Sequence, residues 1–271
     1  MSTSFYSRGS LLLLAASLVM VGSSHAVVLV SDTFTTGAAG GFNGRTPETT
    51  FGERNWIAPS NGTLQLNGAG GVSATYSTSW AGFDLGEGYI SSNPGIYELK
   101  VTINNVNASD NTSWLGMGFA ASIATNSNFV AGEGQPWLLQ RTNGLTNVYA
   151  GPNITNQVIN GSTIAPAGVA QTYYLTLDAT NPADIIFSAR VDLASGGTHV
   201  FDLNGAAPGT SNNPVTNPTI RYVGISGTFN GSSPGVGTFD NFELSFTPIP
   251  EPSSLLLGLL AAPGLLIRRR R

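Results

Sequence analysis

Residues 96–106 read IYELKVTINNV, with apolar and polar side chains alternating at every second position. Tyr97, Leu99, Val101 and Ile103 share one face, and Glu98, Lys100, Thr102 and Asn104 the other. That period dictates a strand with one dry side and one wet side. Tyr173, Leu175 and Leu177 repeat it in TYYLTLDA, as do Ile185, Phe187, Ala189, Val191 and Leu193 in DIIFSARVDL. Phe242, Leu244 and Phe246 do so again in NFELSF. Between the two ends no segment sustains a 3.6-residue apolar period, so little helix is expected. Asn-Gly pairs at 43, 61, 67, 143, 160, 204 and 230 suit the positive-φ positions of tight hairpins. The clearest hairpin places Asn143-Gly144 between Trp137–Arg141 and Leu145–Tyr149. The expected fold class is all-β: an antiparallel two-sheet sandwich occupying 27–247 as one domain, with APGTSNNPVTNPT as a long surface loop.

Composition narrows the chemistry. Only 10% of residues are charged while 41% are hydrophobic, too apolar for a disordered chain. The chain has no cysteine, which excludes disulfides, thiolate metal sites and cysteine nucleophiles. Between Val27 and Thr247 six basic residues face fourteen acidic ones, a net charge of −8. A nucleic-acid partner needs clustered Lys and Arg, so this balance argues against one.

The two ends differ from the body. Arg8 precedes an apolar run from Leu11 to Val21, and Ser24 and Ala26 stand at −3 and −1 of a cut after Ala26. This is the pattern of an export signal, giving 1–26 to a signal peptide removed by signal peptidase after Sec export. At the other end, 248–271 reads PIPEPSSLLLGLLAAPGLLIRRRR. Its apolar run Leu255 to Ile267 has 13 residues, about 20 Å as a helix against a hydrocarbon core of about 30 Å. Arg268, Arg269, Arg270 and Arg271 resist translocation, which puts the body outside and the C-terminus in the cytoplasm. Pro250-Glu251-Pro252 is extended and stiff, the form a protease cleft accepts. Together these parts resemble the PEP-CTERM sorting signal of bacterial exported proteins. The resemblance implies processing at Pro250, Glu251 and Pro252 by an exosortase, in an organism that makes exopolysaccharide. It also implies transient anchoring in the inner membrane by a C-terminal hydrophobic helix, followed by release to the cell surface or matrix.

The opening SDTFTTGAAGGFNGRTPETTFGERNW and the closing GTFDNFELSF resemble concanavalin-like or laminin-G-like jelly rolls. The end strands of such folds pair side by side, which suits apolar Phe34 and Phe242, Leu244 and Phe246 at opposite ends of the chain.

The candidate chemistry is sparse. His199 lies between hydrophobics of a strand and reads as a sheet-surface histidine. Ser233 in GSSPG is followed by Pro234 with no later histidine, which fits a loop rather than a nucleophile elbow. GMGFAA at 116–121 reads as close sheet packing rather than a nucleotide motif. Glu98, Glu133, Glu243, Asp84 and Asp240 could serve a carboxylate-based glycan hydrolase. Asp240 and Glu243 are expected on opposite faces of one strand. Asp110 and Asp202 sit in Asn- and Asp-rich stretches that could hold Ca2+, the one cofactor in view, although ordinary turns explain them more simply. Among the tryptophans, Trp114 is expected in the core, while Trp137 and Arg141 share a strand face with Leu139 and could stack and read a sugar. The favoured function is non-catalytic binding of glycan or exopolysaccharide. Its alternatives are a structural envelope or matrix protein without small ligand, and a glycoside hydrolase or lyase.

Overall fold

The alternation written in the sequence becomes two antiparallel sheets. The computed structural model describes residues 25–35, 40–58, 64–66, 72–74, 77–104, 113–122, 135–141, 145–149, 157–159, 168–201, 213–215, 218–229 and 237–249. Ala26 is therefore described, and exposed, whereas Pro250, Glu251, Pro252 and Arg268 to Arg271 lie outside the described residues. Among the described residues no helix is long and apolar enough to cross a membrane, and 255–267 is not among them.

In chain order the first strands are β1 (Val27–Asp32), β2 (Gly40–Gly41), β3 (Thr49–Thr50), β4 (Trp56–Ile57), β5 (Leu64–Leu66), β6 (Val72–Ala74) and β7 (Ser77–Asp84). A single turn of helix, α1 (Tyr89–Ser92), leads to β8 (Gly95–Asn104), β9 (Trp114–Ala120), β10 (Trp137–Arg141), β11 (Thr146–Tyr149) and β12 (Gln157–Ile159). There follow β13 (Gln171–Asp178), β14 (Ile186–Asp192), β15 (Thr198–Val200), β16 (Asn213–Pro214), β17 (Tyr222–Phe229) and β18 (Gly237–Pro248). The first sheet runs β15-β14-β13-β8-β18-β6-β5-β2, with β1 joined to β18, β3 to β1 and β16 to β14. The second runs β12-β11-β10-β9-β17-β7-β4. Every pairing among these strands is antiparallel.

The dry faces meet in one core. Tyr97, Leu99, Val101 and Ile103 of β8, Tyr173, Leu175 and Leu177 of β13, and Phe187, Ala189 and Val191 of β14 are buried as the alternation required. They form one cluster with Phe83, Met117, Phe119, Leu138 and Ile225 of the second sheet. Each Val, Leu, Ile, Phe or Met among them contributes about 1.5–3 kcal/mol by leaving water. The last strand closes on the first, from Val27 opposite Phe246 to Asp32 opposite Phe242, and β18 is bonded on its other side to β8.

Beside that closure sits a buried ion pair. Asp32 has no solvent exposure. Its carboxylate accepts from the Phe34 backbone N–H at 2.9 Å, from Trp56 Nε1 at 2.8 Å, and from the Arg45 guanidinium. These bonds anchor the Trp56 ring, which packs edge-on against Phe42 and Phe242, each at 4.8 Å. Phe34 joins this aromatic group with φ of 57°.

The second sheet breaks the simple rule. All seven residues of β9 are buried. Leu115, Met117 and Phe119 face the main core, so Trp114, Gly116, Gly118 and Ala120 face away. Trp114 is thus buried but outside the main core, in a separate apolar group with Trp80, Ala120, Leu139 and Tyr222. The glycines allow neighbouring strands to approach: a Cβ on Gly224 would lie 2.2 Å from the Ala81 carbonyl oxygen, and one on Gly118 2.5 Å from Trp137 Cβ.

Two further expectations change. Part of the supposed surface loop forms β16, an edge strand on β14, and Val215 beyond it is buried; proline is tolerated there because an edge leaves one side unbonded. Asp240 and Glu243 fall on the same face, opposite Thr102 and Lys100, because the register shifts between them. The extra residue of that bulge, with Asn241 at φ 50°, reverses the parity.

Replacing Arg45 by Met strands a buried carboxylate with a partner missing, and should cost about 3 kcal/mol in urea unfolding. The Asp32→Asn/Arg45→Met double variant should lose less than the sum of the singles. Gly224→Ala should lose about 1–3 kcal/mol by overpacking. Gly41→Ala, whose Cβ would meet nothing within 4 Å, should stay within about 0.5 kcal/mol of wild type.

Candidate functional site

Strand β7 ends at Asp84, where the chain turns through Gly86 at φ 98° and Gly88 at φ 67°. These values exclude continued strand and bring α1 over the end of the second sheet. The antiparallel register sets Tyr222 opposite Asp84, and Leu85 N–H donates to the Arg221 carbonyl at 2.8 Å. Arg221 therefore meets Asp84 side by side. Its Nε donates to Oδ1 at 3.0 Å and its Nη2 to Oδ2 at 2.8 Å, while Gly86 N–H donates to Oδ1 at 2.7 Å. Partial burial pushes the Asp84 carboxyl up, but the Arg221 bonds and the Gly86 N–H outweigh it and hold the group below the usual carboxylate range.

Arg54 approaches from the other side. Its Nη1 donates to the Asp84 carbonyl oxygen at 2.6 Å, and its guanidinium lies over the Phe51 ring, 4.6 Å from the centroid. Gly86 also borders the guanidinium: a Cβ there would lie 3.2 Å from Nη2. Two pockets flank this turn. One, of about 450 Å³, is lined by Asn43, Arg54, Asn55, Ile57, Asp84 and Gly86 among others. The other, of about 530 Å³, is lined by residues including Glu87, Ser91, Ala121, Pro218, Thr219 and Arg221. In the smaller pocket Asn43 Oδ1 accepts from Ala58 N–H at 3.1 Å and Asn55 Oδ1 from Thr46 Oγ1 at 2.8 Å.

Trp137, Leu139 and Arg141 do share the face of the second sheet that turns from the main core. Trp137 stands 5.9 Å from Trp114, and Arg141 Nε donates to Asn147 Oδ1 at 2.9 Å. Trp137 and Arg141, the pair expected to contact sugar, are both half-exposed, whereas Trp80, Trp114 and Tyr222 are buried. Asp110, Asp202, Glu133 and Ser233 lie outside the described residues. Among the described residues no group of three or more acids and histidines is arranged to hold a metal.

The remaining candidates have structural partners. Glu98 pairs with Arg190 at 2.7 Å and Glu243 with Lys100 at 4.0 Å on the outer face of the first sheet. His199 is not a plain surface residue. It lies opposite core-facing Val191 on the edge strand, with its ring edge-on to Phe201 at 5.3 Å. Its Nε2 is shut off from solvent, and burial lowers its pKa.

The Asp84 site escaped the sequence reading because Asn43, Arg54, Asp84 and Arg221 are brought together only by strand register. The available signal was arithmetic: with six basic residues in the whole body, each demands an explanation, and the DLGEG turn offers the glycines that cradle one.

No protein-family model matches the sequence, and no curated protein matches it. Solved structures do. A protein of unknown function from Shewanella oneidensis MR-1 superposes with a TM-score of 0.51 at 14% identity, over 92% of this chain and 97% of that one. Peanut lectin gives 0.51 at 9% identity, over 83% and 99%. A marine PL-14 alginate lyase from Aplysia kurodai gives 0.45 at 11%, over 71% and 87%. At such identities the likeness is one of fold, and the sandwich is a lectin-like jelly roll.

Asp84 is held ionised by its neighbours, so its contribution to stability is present above its ordinary pKa, about 3.9, and is lost as pH falls through the lowered folded value. Asp84→Asn should therefore cost about 1 kcal/mol at pH 7, the modest figure fitting a partly exposed pair. The difference from wild type should fade in urea titrations at pH 3.

Proposed function

We propose that the chain is an exported, PEP-CTERM-sorted surface or matrix protein whose sandwich binds glycan without catalysis, at the pockets flanking Asp84. The observation that carries this reading is the convergence of Asn43, Arg54, Asn55 and Asp84 around a pocket of about 450 Å³. Fixed amide, guanidinium and carboxylate groups beside an apolar Ile57 wall suit a hydroxyl-rich ring with an apolar face. The lectin-like fold supports the same reading by analogy alone.

Asp84 is the one acid lining the smaller pocket. Its lowered proton affinity fits an accepting group and disfavours a general acid, which needs a raised pKa. This favours binding over acid catalysis at Asp84 itself. Trp137 and Arg141 offer a second contact surface.

Two experiments test the reading. On a glycan array, run with calcium and again with chelator, the chain should retain at least one glycan class. Asn55→Ala should weaken that binding about tenfold, the effect of one polar contact of about 1.4 kcal/mol, while Lys100→Ala, on the outer face of the first sheet, should leave it intact. Silence under both conditions would favour a structural matrix protein. In cells, replacing Pro250-Glu251-Pro252 with alanines should trap the full-length form in the inner membrane, and normal release of that variant would defeat the sorting reading.

A further inference from the structure

Resting on the glycan reading, we infer that the smaller pocket at Asp84 selects acidic saccharides, binding the carboxylate of a uronic acid residue through Arg54. The argument is a balance of donors and acceptors. Each acceptor side chain that lines the pocket already serves the protein: Asn43 Oδ1 takes the Ala58 N–H, Asn55 Oδ1 takes the Thr46 hydroxyl, and both Asp84 oxygens take N–H groups of Arg221 or Gly86. The donors are left over. The amide nitrogens of Asn43 and Asn55, and Nε and Nη2 of Arg54, make no hydrogen bond to described residues. A sugar hydroxyl both gives and accepts, so it is half-served by such a wall. A carboxylate only accepts, and matches it.

Charge points the same way. Among the described residues Arg45, Lys100, Arg190 and Arg221 each have a carboxylate partner within ion-pair distance. Arg54 has none. Its neighbour Asp84 is already matched by Arg221, so Arg54, Arg221 and Asp84 together carry one net positive charge. The body as a whole has a net charge of −8, but at physiological salt fields decay over about 8 Å, so distant acids count for little at the Arg54 fork, and nearby Glu87 acts on Arg221 from the neighbouring pocket.

The guanidinium is also preorganised. It lies over the Phe51 ring, Gly86 borders it without a side chain, and the Asp84 carbonyl fixes Nη1. A planar fork held in this way meets a carboxylate with little further loss of freedom. A Cβ on residue 86 would lie 3.2 Å from Nη2, close enough to push the guanidinium aside by a few tenths of an ångström.

The test uses the full chain and matched pairs of tetrasaccharides that differ only at C6: glucuronate against glucose, mannuronate against mannose, and galacturonate against galactose. The uronate member of at least one pair should bind at least tenfold more tightly than its neutral counterpart, and more weakly as salt rises. Arg54→Gln should abolish that preference, and Arg54→Lys, which keeps the charge and loses the fork, should restore part of it. Asn55→Asp, a surface change that adds a negative charge to the pocket, should remove uronate binding while weakening the neutral sugar no more than Asn55→Ala does; it decides the matter if Arg54→Gln fails to fold. Neutral members bound as tightly as uronates would overturn this inference and leave the glycan reading standing. A uronate preference that survives Arg54→Gln or Asn55→Asp would also overturn it. Absence of binding to every member would overturn both.

Discussion

The dry interface between Leu99, Val101 and Leu175 of one sheet and Met117, Phe119 and Ile225 of the other is the constraint on which the rest of the molecule depends. A slip of β8 by one residue would turn Glu98 and Lys100 into that interface and expel its apolar set. Burying an unpaired charge costs several kcal/mol, so the register is fixed with little tolerance. Fixed register then propagates outward. It sets Asp84 opposite Tyr222, places Arg221 beside it, and puts Trp137 beside Gly118. The polar pockets are thus consequences of how the core aligns the strands.

The first sheet was legible because it is dry on one side only. Strands β8, β13 and β14 carry a clean two-residue period, and their burial follows it. The second sheet was harder, since β9 and β17 are buried on both faces and the period vanishes when neither side needs polar residues. Trp114 illustrates the ambiguity: a buried tryptophan next to Leu115 points either way until the parity is known. The bulge at Asn241 is a different failure, for a single inserted residue reversed the relation of Asp240 to Glu243 without leaving a mark in the composition.

Of the candidate site, the sequence offered Asp84 as one acid among several, and Arg54, Asn43, Asn55 and Arg221 not at all. Sequence motifs report chemistry that is local along the chain. Here four segments, around residues 43, 54, 84 and 221, are joined by sheet geometry, and each alone looks like an ordinary turn. Such a site becomes visible only when every hydrogen-bonding group is assigned a partner and the unspent ones are counted.

The pairing of β1 with β18 has its own consequence. Because the opening and closing strands of the sandwich are neighbours, Val27 standing opposite Phe246, the path of the chain from 25 to 249 is nearly a closed circuit. Where the backbone is interrupted along that circuit is then a matter of convenience. A circular permutant that joined 249 to 25 with a few flexible residues and opened elsewhere would retain every strand neighbour, which makes the scaffold suited to being carried at any of its turns.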